Sequence, residues 1–445
     1  MVKVNPKIFH QYDIRGVYPD DFNEEVAKQI GRIFVDYTKA KKILIGRDVR
    51  LSGQKIFDGL AQGLTEMGAD VFDAGLVPID FVYSMTVKNR YDAGIMITAS
   101  HNPKEYNGLK MFKYVGKPWI EWINGSIFKE IIDKKLKPVK KIGKIRKVDH
   151  WQNYIDHIFS FVEKNKIKPL KIVVDAGNSV AAKVILLIEK DLPSKFIHRF
   201  FDLDGNFPNR SPNSIDDEVL EKLGQEVLRK KADFGVAFDG DADRIVLVDE
   251  KGEPLLGDCQ ILLLAKEILE NYPGATIVYN LMMSRAVPEI IKKMGGRAVK
   301  SKVGFCFIMQ TMRENNGIMG GEHSCHFSFK DNFYADSGMI AFLKFIEVIS
   351  SSGKKVSELV KDYKIYKKIY QPSIKVEDKE KTFENLKKKY QDGKIDELDG
   401  LTIEYDDWWF NIRPSNTEPV IRLTVEAKTK ELLEKKLKEI KSLIV

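Results

Sequence analysis

Short apolar runs alternate with amphipathic stretches along most of this chain. Residues 41–75, KKILIGRDVRLSGQKIFDGLAQGLTEMGADVFDAG, read as strand, polar loop, amphipathic helix, glycine and strand. Residues 170–201, LKIVVDAGNSVAAKVILLIEKDLPSKFIHRFF, and 275–304, ATIVYNLMMSRAVPEIIKKMGGRAVKSKVG, follow the same plan. Each predicts a β-α-β unit, whose right-handed crossover places helices over a parallel or mixed sheet. Their recurrence somewhat over a hundred residues apart predicts three similar α/β domains in tandem. The last stretch, EPVIRLTVEAKTKELLEKKLKEIKSLIV, predicts strand then amphipathic helix in a small α+β domain. Boundaries are expected in the Lys-rich segment 133–147, in the Gly-containing hairpin of VDEKGEPLLGDCQ (248–260), and within 361–381.

The apolar run AGIMI, ending at Ile97, predicts a buried strand that runs straight into TASHNPKEYNGLK. Pro103 disfavours helical geometry at Asn102, so the strand should open into a loop. Hydroxyl, imidazole, amide and ammonium groups crowd that loop, and such a cluster is either an ordinary turn or a site of chemistry.

Composition narrows the setting. A chain of 445 residues has room for roughly three domains of about 150 residues. With 43% hydrophobic and 31% charged residues it can build several cores and is neither membrane-embedded nor largely disordered. The formal charge of +8 is interleaved with Asp and Glu, and its basic clusters, at 133–150 and in EDKEKTFENLKKKY, lack interspersed aromatics. They read as solvated linker or helix faces, not a nucleic-acid track, and a mildly basic site suits small anionic substrates. Cys259, Cys306 and Cys325 stand far apart without Cys-x-x-Cys spacing, which fits a reducing cytosol and offers no zinc site. Without a signal-like segment or an apolar run of about 18 residues, a soluble cytoplasmic protein is expected.

Three further stretches carry chemistry. In FGVAFDGDADRIVLVDE (234–250), Asp239, Asp241 and Asp243 alternate with small residues, and such close carboxylates repel unless a cation compensates. A hard divalent ion such as Mg²⁺ suits them. Arg244 stands next to them, ready for a phosphate. In GGEHSCH, Glu322, Ser324 and His326 share one face if the segment is extended, set to take sugar hydroxyls. In RPSNTEP, Arg413, Ser415, Asn416 and Thr417 offer a fork, hydroxyls and an amide for a phosphate, confined by Pro414 and Pro419.

Together YDIRG, TASHNPKEYNGLK, DGDADR, GGEHSCH and RPSNTEP, in that order, resemble the motifs of the α-D-phosphohexomutase family, most closely its phosphomannomutase/phosphoglucomutase branch. The match spans essentially the whole chain. It implies three related mixed-sheet α/β domains and a smaller C-terminal α+β domain around a central cleft. Residues 1–145 would carry the phosphoserine loop, 146–252 the metal loop, 253–366 the sugar loop and 367–445 the phosphate loop. The implied activity interconverts hexose 1-phosphate and hexose 6-phosphate, of glucose and/or mannose, through a phosphoserine enzyme and a hexose 1,6-bisphosphate.

By the same resemblance Ser100 is the phosphoserine and, with Asp239, Asp241 and Asp243, holds Mg²⁺. His101, Lys110 and Arg15 are alternative candidates for proton transfer and charge neutralisation. Tyr12 and Arg15 face the cleft, and Arg244 and Lys302 belong to the substrate contacts. Glu322, Ser324 and His326 serve the sugar, and Arg413, Ser415, Asn416 and Thr417 clamp the fixed phosphate. Sugar phosphates are the expected partners, with neither nucleic acid nor membrane.

The sequence departs from the family pattern at several points. KVGF keeps Lys302 but has Phe305 where bacterial members often have His. Cys325 replaces a usual Gly, Ser337 a common second Asp, and GLVPID lacks the usual Thr-Pro. A phosphoglucosamine mutase is the alternative, although Tyr106 in KEYNGLK resembles the hexose branch. A non-catalytic sugar-phosphate binder is a further alternative, which the intact Ser100 and aspartates disfavour.

Overall fold

The computed structural model describes residues 4–376, 378–414 and 420–444. The chain divides into two compact units, Met1–Leu256 with Ser324–Glu358, and Gly257–His323 with Leu359–Val445.

In the first unit one sheet runs in the order Ile14–Val17, Tyr106–Tyr114, Ala93–Ile97, Lys42–Arg47, Asp70–Leu76, Ile145–Lys147. Lys42–Arg47 lies parallel to both Asp70–Leu76 and Ala93–Ile97, so the crossover expected over 41–75 forms as read. Its helix, Gly53–Glu66, buries Ile56, Phe57, Leu60, Ala61 and Leu64, a stripe of helical period. Ile43, Ile45, Ile95 and Ile97 join the same core, where each fully buried side chain contributes about 1.5–3 kcal/mol. The Lys-rich segment stays attached to this sheet, because Ile145–Lys147 pairs with Asp70–Leu76.

A second sheet runs Pro254–Leu255, Ile245–Asp249, Phe234–Phe238, Lys171–Asp175, Lys195–Arg199. Lys171–Asp175 and Lys195–Arg199 are parallel and flank the helix Ala181–Ile188, the second crossover.

Helix Gly338–Ser352 also belongs to the first unit and is buried from Gly338 to Ser350. Ser337 caps it, accepting from the Ile340 N–H at 3.0 Å, and its hydroxyl donates to Asp80 Oδ2. Tyr154, on helix Trp151–Phe159, donates to both Asp80 oxygens at 3.0 and 3.1 Å. Ser337 thus meets an acid carried by GLVPID, the stretch that lacks the usual Thr-Pro.

Burial pushes the Asp80 carboxyl up to about 7, against the lowering effect of the Ser337 and Tyr154 hydroxyls. The unfolded chain releases this proton near 3.8, so the folded state binds more protons between there and about 7. Asp80 therefore favours folding below that window and loses the contribution as pH rises through it. Asp80→Asn should remove the dependence. Relative to the variant, wild type should lose roughly 4 kcal/mol between about pH 4 and 8, read by urea unfolding. Parallel pH profiles would contradict the assignment.

In the second unit, Thr276–Asn280 lies parallel to Arg297–Ser301 and to Gly317–Gly321, with Ala286–Lys293 as the third crossover helix. A separate antiparallel sheet runs Lys367–Lys375, Val420–Ala427, Trp408–Pro414, Leu401–Glu404, Lys394–Asp396. Helices Lys379–Lys389 and Lys430–Ile444 bury Leu386, Leu433 and Ile440 in that sheet's core. Three α/β layers and an α+β C-terminal part are thus present. Among the described residues no helix is long and apolar enough to cross a membrane.

Candidate active site

Two loops of the first unit meet at the site. Ala93–Ile97 ends, the chain loops through residues 98–105, and Tyr106–Tyr114 returns antiparallel with Leu109 opposite Ile97. Phe234–Phe238 and Ile245–Asp249 form a hairpin, Phe238 opposite Ile245, whose loop carries the three aspartates. Ala242, at φ 62°, and Ser100, at φ 50°, are both left-handed. A serine held there carries strain that its neighbours must sustain.

Ser100 Oγ donates to Asp239 Oδ2 at 2.8 Å. Lys110, in the returning strand, donates to Asp241 at 2.8 Å and Asp243 at 2.6 Å. All five of these side chains are buried. Burial alone would lower the Lys110 pKa, but Asp241 and Asp243 outweigh it and hold the ammonium above its ordinary range. Burial, then Asp243 and Asp241, pushes Asp239 well up. Asp243 is held well down, because Lys110 and His326 overcome the burial that would raise it.

Asp239, Asp241 and Asp243 place ligand atoms within 4.8 Å of one another, and Asp241 Oδ1 is buried without a hydrogen-bond partner. A raised carboxyl, an unpaired oxygen and an all-oxygen donor set fit a hard divalent cation. Asp243 also groups with His326 and Asp336, a residue with no signal in the sequence.

His101 Nδ1 lies 3.4 Å from Ser100 Oγ and 2.6 Å from Arg244 Nη2. A guanidinium only donates, so Nδ1 accepts and the neutral ring carries its proton on Nε2. Burial, then the charges of Arg244 and Arg15, hold the His101 pKa well below the usual imidazole value. Arg15 pairs with Asp13 at 2.7 Å and donates to the Ala99 carbonyl at 3.2 Å and to Asn102 Oδ1 at 2.6 Å. Tyr12 is half-buried, and its carbonyl accepts from the Trp122 indole.

Arg244 Nε stands 3.2 Å from His326 Nε2, which also lies 3.4 Å from Asp243 Oδ1. His326 Nδ1 is 3.0 Å from Ser324 Oγ. The segment bearing Ser324 and His326 is not extended, as its spacing implied. It turns, with Cys325 left-handed at φ 66°, so alternate residues do not share one face. The left-handed position explains why glycine suits it.

Within the second unit, Glu322 Oε1 accepts from the Gly304 N–H at 2.8 Å and from Asn280 at 3.1 Å. Lys302 is exposed in the loop before Gly304. Asp399 ties that loop to Arg413, accepting from the Val303 N–H at 3.0 Å and pairing with Arg413 at 3.2 Å. Ser415, Asn416 and Thr417 lie outside the described residues. Asp399 and Asn280 escaped sequence reading because both act through partners distant in the chain.

Comparison with known proteins identifies the family. Residues 6–137, 152–252 and 256–366 match the models of phosphoglucomutase/phosphomannomutase alpha/beta/alpha domains I, II and III. Residues 373–442 match that family's C-terminal domain. A phosphomannomutase of Salmonella montevideo is 36% identical, covering 99% of both chains. One from Methanocaldococcus jannaschii is 36% identical, covering 98% of this chain and 97% of its own. The crystal structure of a family protein from Burkholderia thailandensis superposes with a TM-score of 0.87 at 30% identity, covering 99% of this chain and 97% of that one. The chain therefore belongs to the phosphoglucomutase/phosphomannomutase family, and is an enzyme of its mutase, or intramolecular phosphotransferase, class.

Proposed function

We propose that the enzyme interconverts hexose 1-phosphate and hexose 6-phosphate, of glucose and/or mannose, using a phosphoserine at Ser100. The observation that carries this reading is Ser100 Oγ at 2.8 Å from Asp239, inside a buried cluster of three carboxylates and one ammonium. In the first half-reaction the 6-hydroxyl of a bound hexose 1-phosphate attacks the phosphoserine phosphorus. The P–Oγ bond breaks, and Ser100 leaves with a proton while a hexose 1,6-bisphosphate forms. The bisphosphate turns over in the site and the Ser100 hydroxyl attacks the other phosphorus, releasing hexose 6-phosphate.

Mg²⁺ held by Asp239, Asp241 and Asp243 with the Ser100 phosphate supplies charge neutralisation for the transferring phosphoryl group. Lys110 and Arg15 remain cations and steady anionic oxygens. Of the three only His101 is uncharged, standing beside Ser100 with its Nδ1 accepting from Arg244. Arg244, itself met by His326, orients that imidazole, and Arg244, His326, Ser324 and Glu322 serve the sugar. Arg413, Ser415, Asn416 and Thr417 hold the phosphate that is not reacting, and Lys302 and Tyr12 complete the contacts.

The test offers glucose, mannose and glucosamine 1-phosphates with Mg²⁺ and trace hexose 1,6-bisphosphate. Formation of glucose or mannose 6-phosphate, suppressed by a chelator, is expected. Turnover of glucosamine 1-phosphate alone would move the enzyme to the amino-sugar branch. No turnover from folded protein would overturn the catalytic reading.

A further inference from the structure

Two buried guanidinium groups hold the backbones that carry the serine and the aspartates. Arg50 has a side chain with 0% exposure. Its Nη1 donates to the carbonyls of Pro103 at 2.6 Å and Tyr106 at 2.8 Å, and its Nη2 to those of Ser100 at 2.9 Å and Asn102 at 2.6 Å. The fifth donor, Nε, meets Asp48 Oδ2 at 3.1 Å. Asp48 accepts from the Thr98 hydroxyl at 2.6 Å, and that hydroxyl oxygen accepts the Ser100 N–H at 2.8 Å. Both peptide groups of the left-handed serine are therefore fixed, the N–H through Thr98 and the carbonyl by Arg50.

Arg210 does the same for the aspartate loop. It is anchored to Asp175 at 2.7 Å and donates at 2.6 Å to the carbonyl of Phe238, the residue before Asp239. The segment leading to it also reaches Arg50. Gly205 sits so close to Val49 that a Cβ would lie 2.3 Å from its carbonyl oxygen, and the Phe207 ring centre is 5.3 Å from Arg50 Cζ. The two loops also touch directly, for a Cβ on Gly240 would stand 2.4 Å from the Ser100 carbonyl oxygen. That oxygen is thus pinned between Arg50 and the aspartate loop.

We propose that Arg50 and Arg210, joined by the Gly205–Ser211 segment, are positioning residues that fix the serine loop against the aspartate loop for phosphoryl transfer. The inference rests on Ser100 carrying the phosphoryl group. Neither guanidinium needs to touch substrate. Each acts by setting the distance between Ser100 Oγ and the three carboxylates, where an error of about 1 Å costs on the order of 10²-fold in rate. A lysine keeps the charge but lacks the planar fork, so it leaves buried carbonyls unpaired.

Kinetics of Arg50→Lys and Arg210→Lys test this, with Arg47→Lys as control. Arg47 is also largely buried and pairs with Asp73 at 3.0 Å. Arg50→Lys should lower kcat about 10²-fold with KM within about threefold, the split expected when only the transition state is misaligned. Arg210→Lys and the milder Phe207→Leu should show the same split. Amide hydrogen exchange should quicken at 98–106 and 239–244, and Arg47→Lys should keep wild-type kcat. Two results overturn the proposal: kcat in Arg50→Lys no lower than in Arg47→Lys, or faster exchange spread evenly through the sheet. An inactive wild type would refute the mutase reading instead, and exchange confined to the two loops or not would still decide the brace.

Discussion

Lys110→Met should cost the metal-free protein about 3–5 kcal/mol of stability, because it leaves Asp241 and Asp243 buried without their counter-charge. Both carboxylates are almost wholly covered, so water cannot replace the ammonium. Added Mg²⁺ should then raise the melting temperature of the variant more than that of wild type, since a cation binding only the folded state stabilises by mass action. Loss of the ammonium should also lower kcat by about 10²–10³-fold, the usual effect of removing one preorganised charge donor. Calorimetry with and without Mg²⁺ checks the first two expectations. Equal Mg²⁺ shifts in both proteins would mean that Lys110 and the cation do not share the carboxylates.

Ser100→Ala should lower turnover by about 10⁴-fold or more, as loss of a covalent nucleophile does. Its effect on stability should be small. The backbone of residue 100 is held through its N–H and carbonyl, and the hydroxyl adds one bond to Asp239. A melting temperature near wild type, with turnover gone, separates chemistry from folding. Retained turnover would place the transferred group elsewhere.

The three crossovers and the loop after Ile97 could be read from the chain because apolar period and breakers are local. Val, Ile and Leu runs set the strands, and Pro103 forced the loop. The aspartate hairpin was equally legible, because small residues alternate with carboxylates between two apolar runs. What escaped was set by distant partners. Arg50 reads as one more charge after a strand, yet its acceptors are carbonyls about 50 residues away. Lys110, a candidate for proton transfer and charge neutralisation, pairs with two aspartates more than 130 positions along the chain, partners that its own stretch does not reveal. Alternation in GGEHSCH suggested an extended face, and a left-handed Cys325 turned it instead. Helix Gly338–Ser352 follows the third crossover in sequence but buries its length in the first unit, an assignment its uniformly apolar pattern leaves open.

The phosphoryl group itself can be followed. Dephosphorylated enzyme would be incubated with hexose 1,6-bisphosphate carrying labelled phosphate, digested, and the label mapped by mass spectrometry. One labelled peptide is expected, modified at Ser100, whose label passes to sugar when unlabelled hexose 1-phosphate is added. Label at another residue, or label at Ser100 that does not pass to sugar, would contradict it.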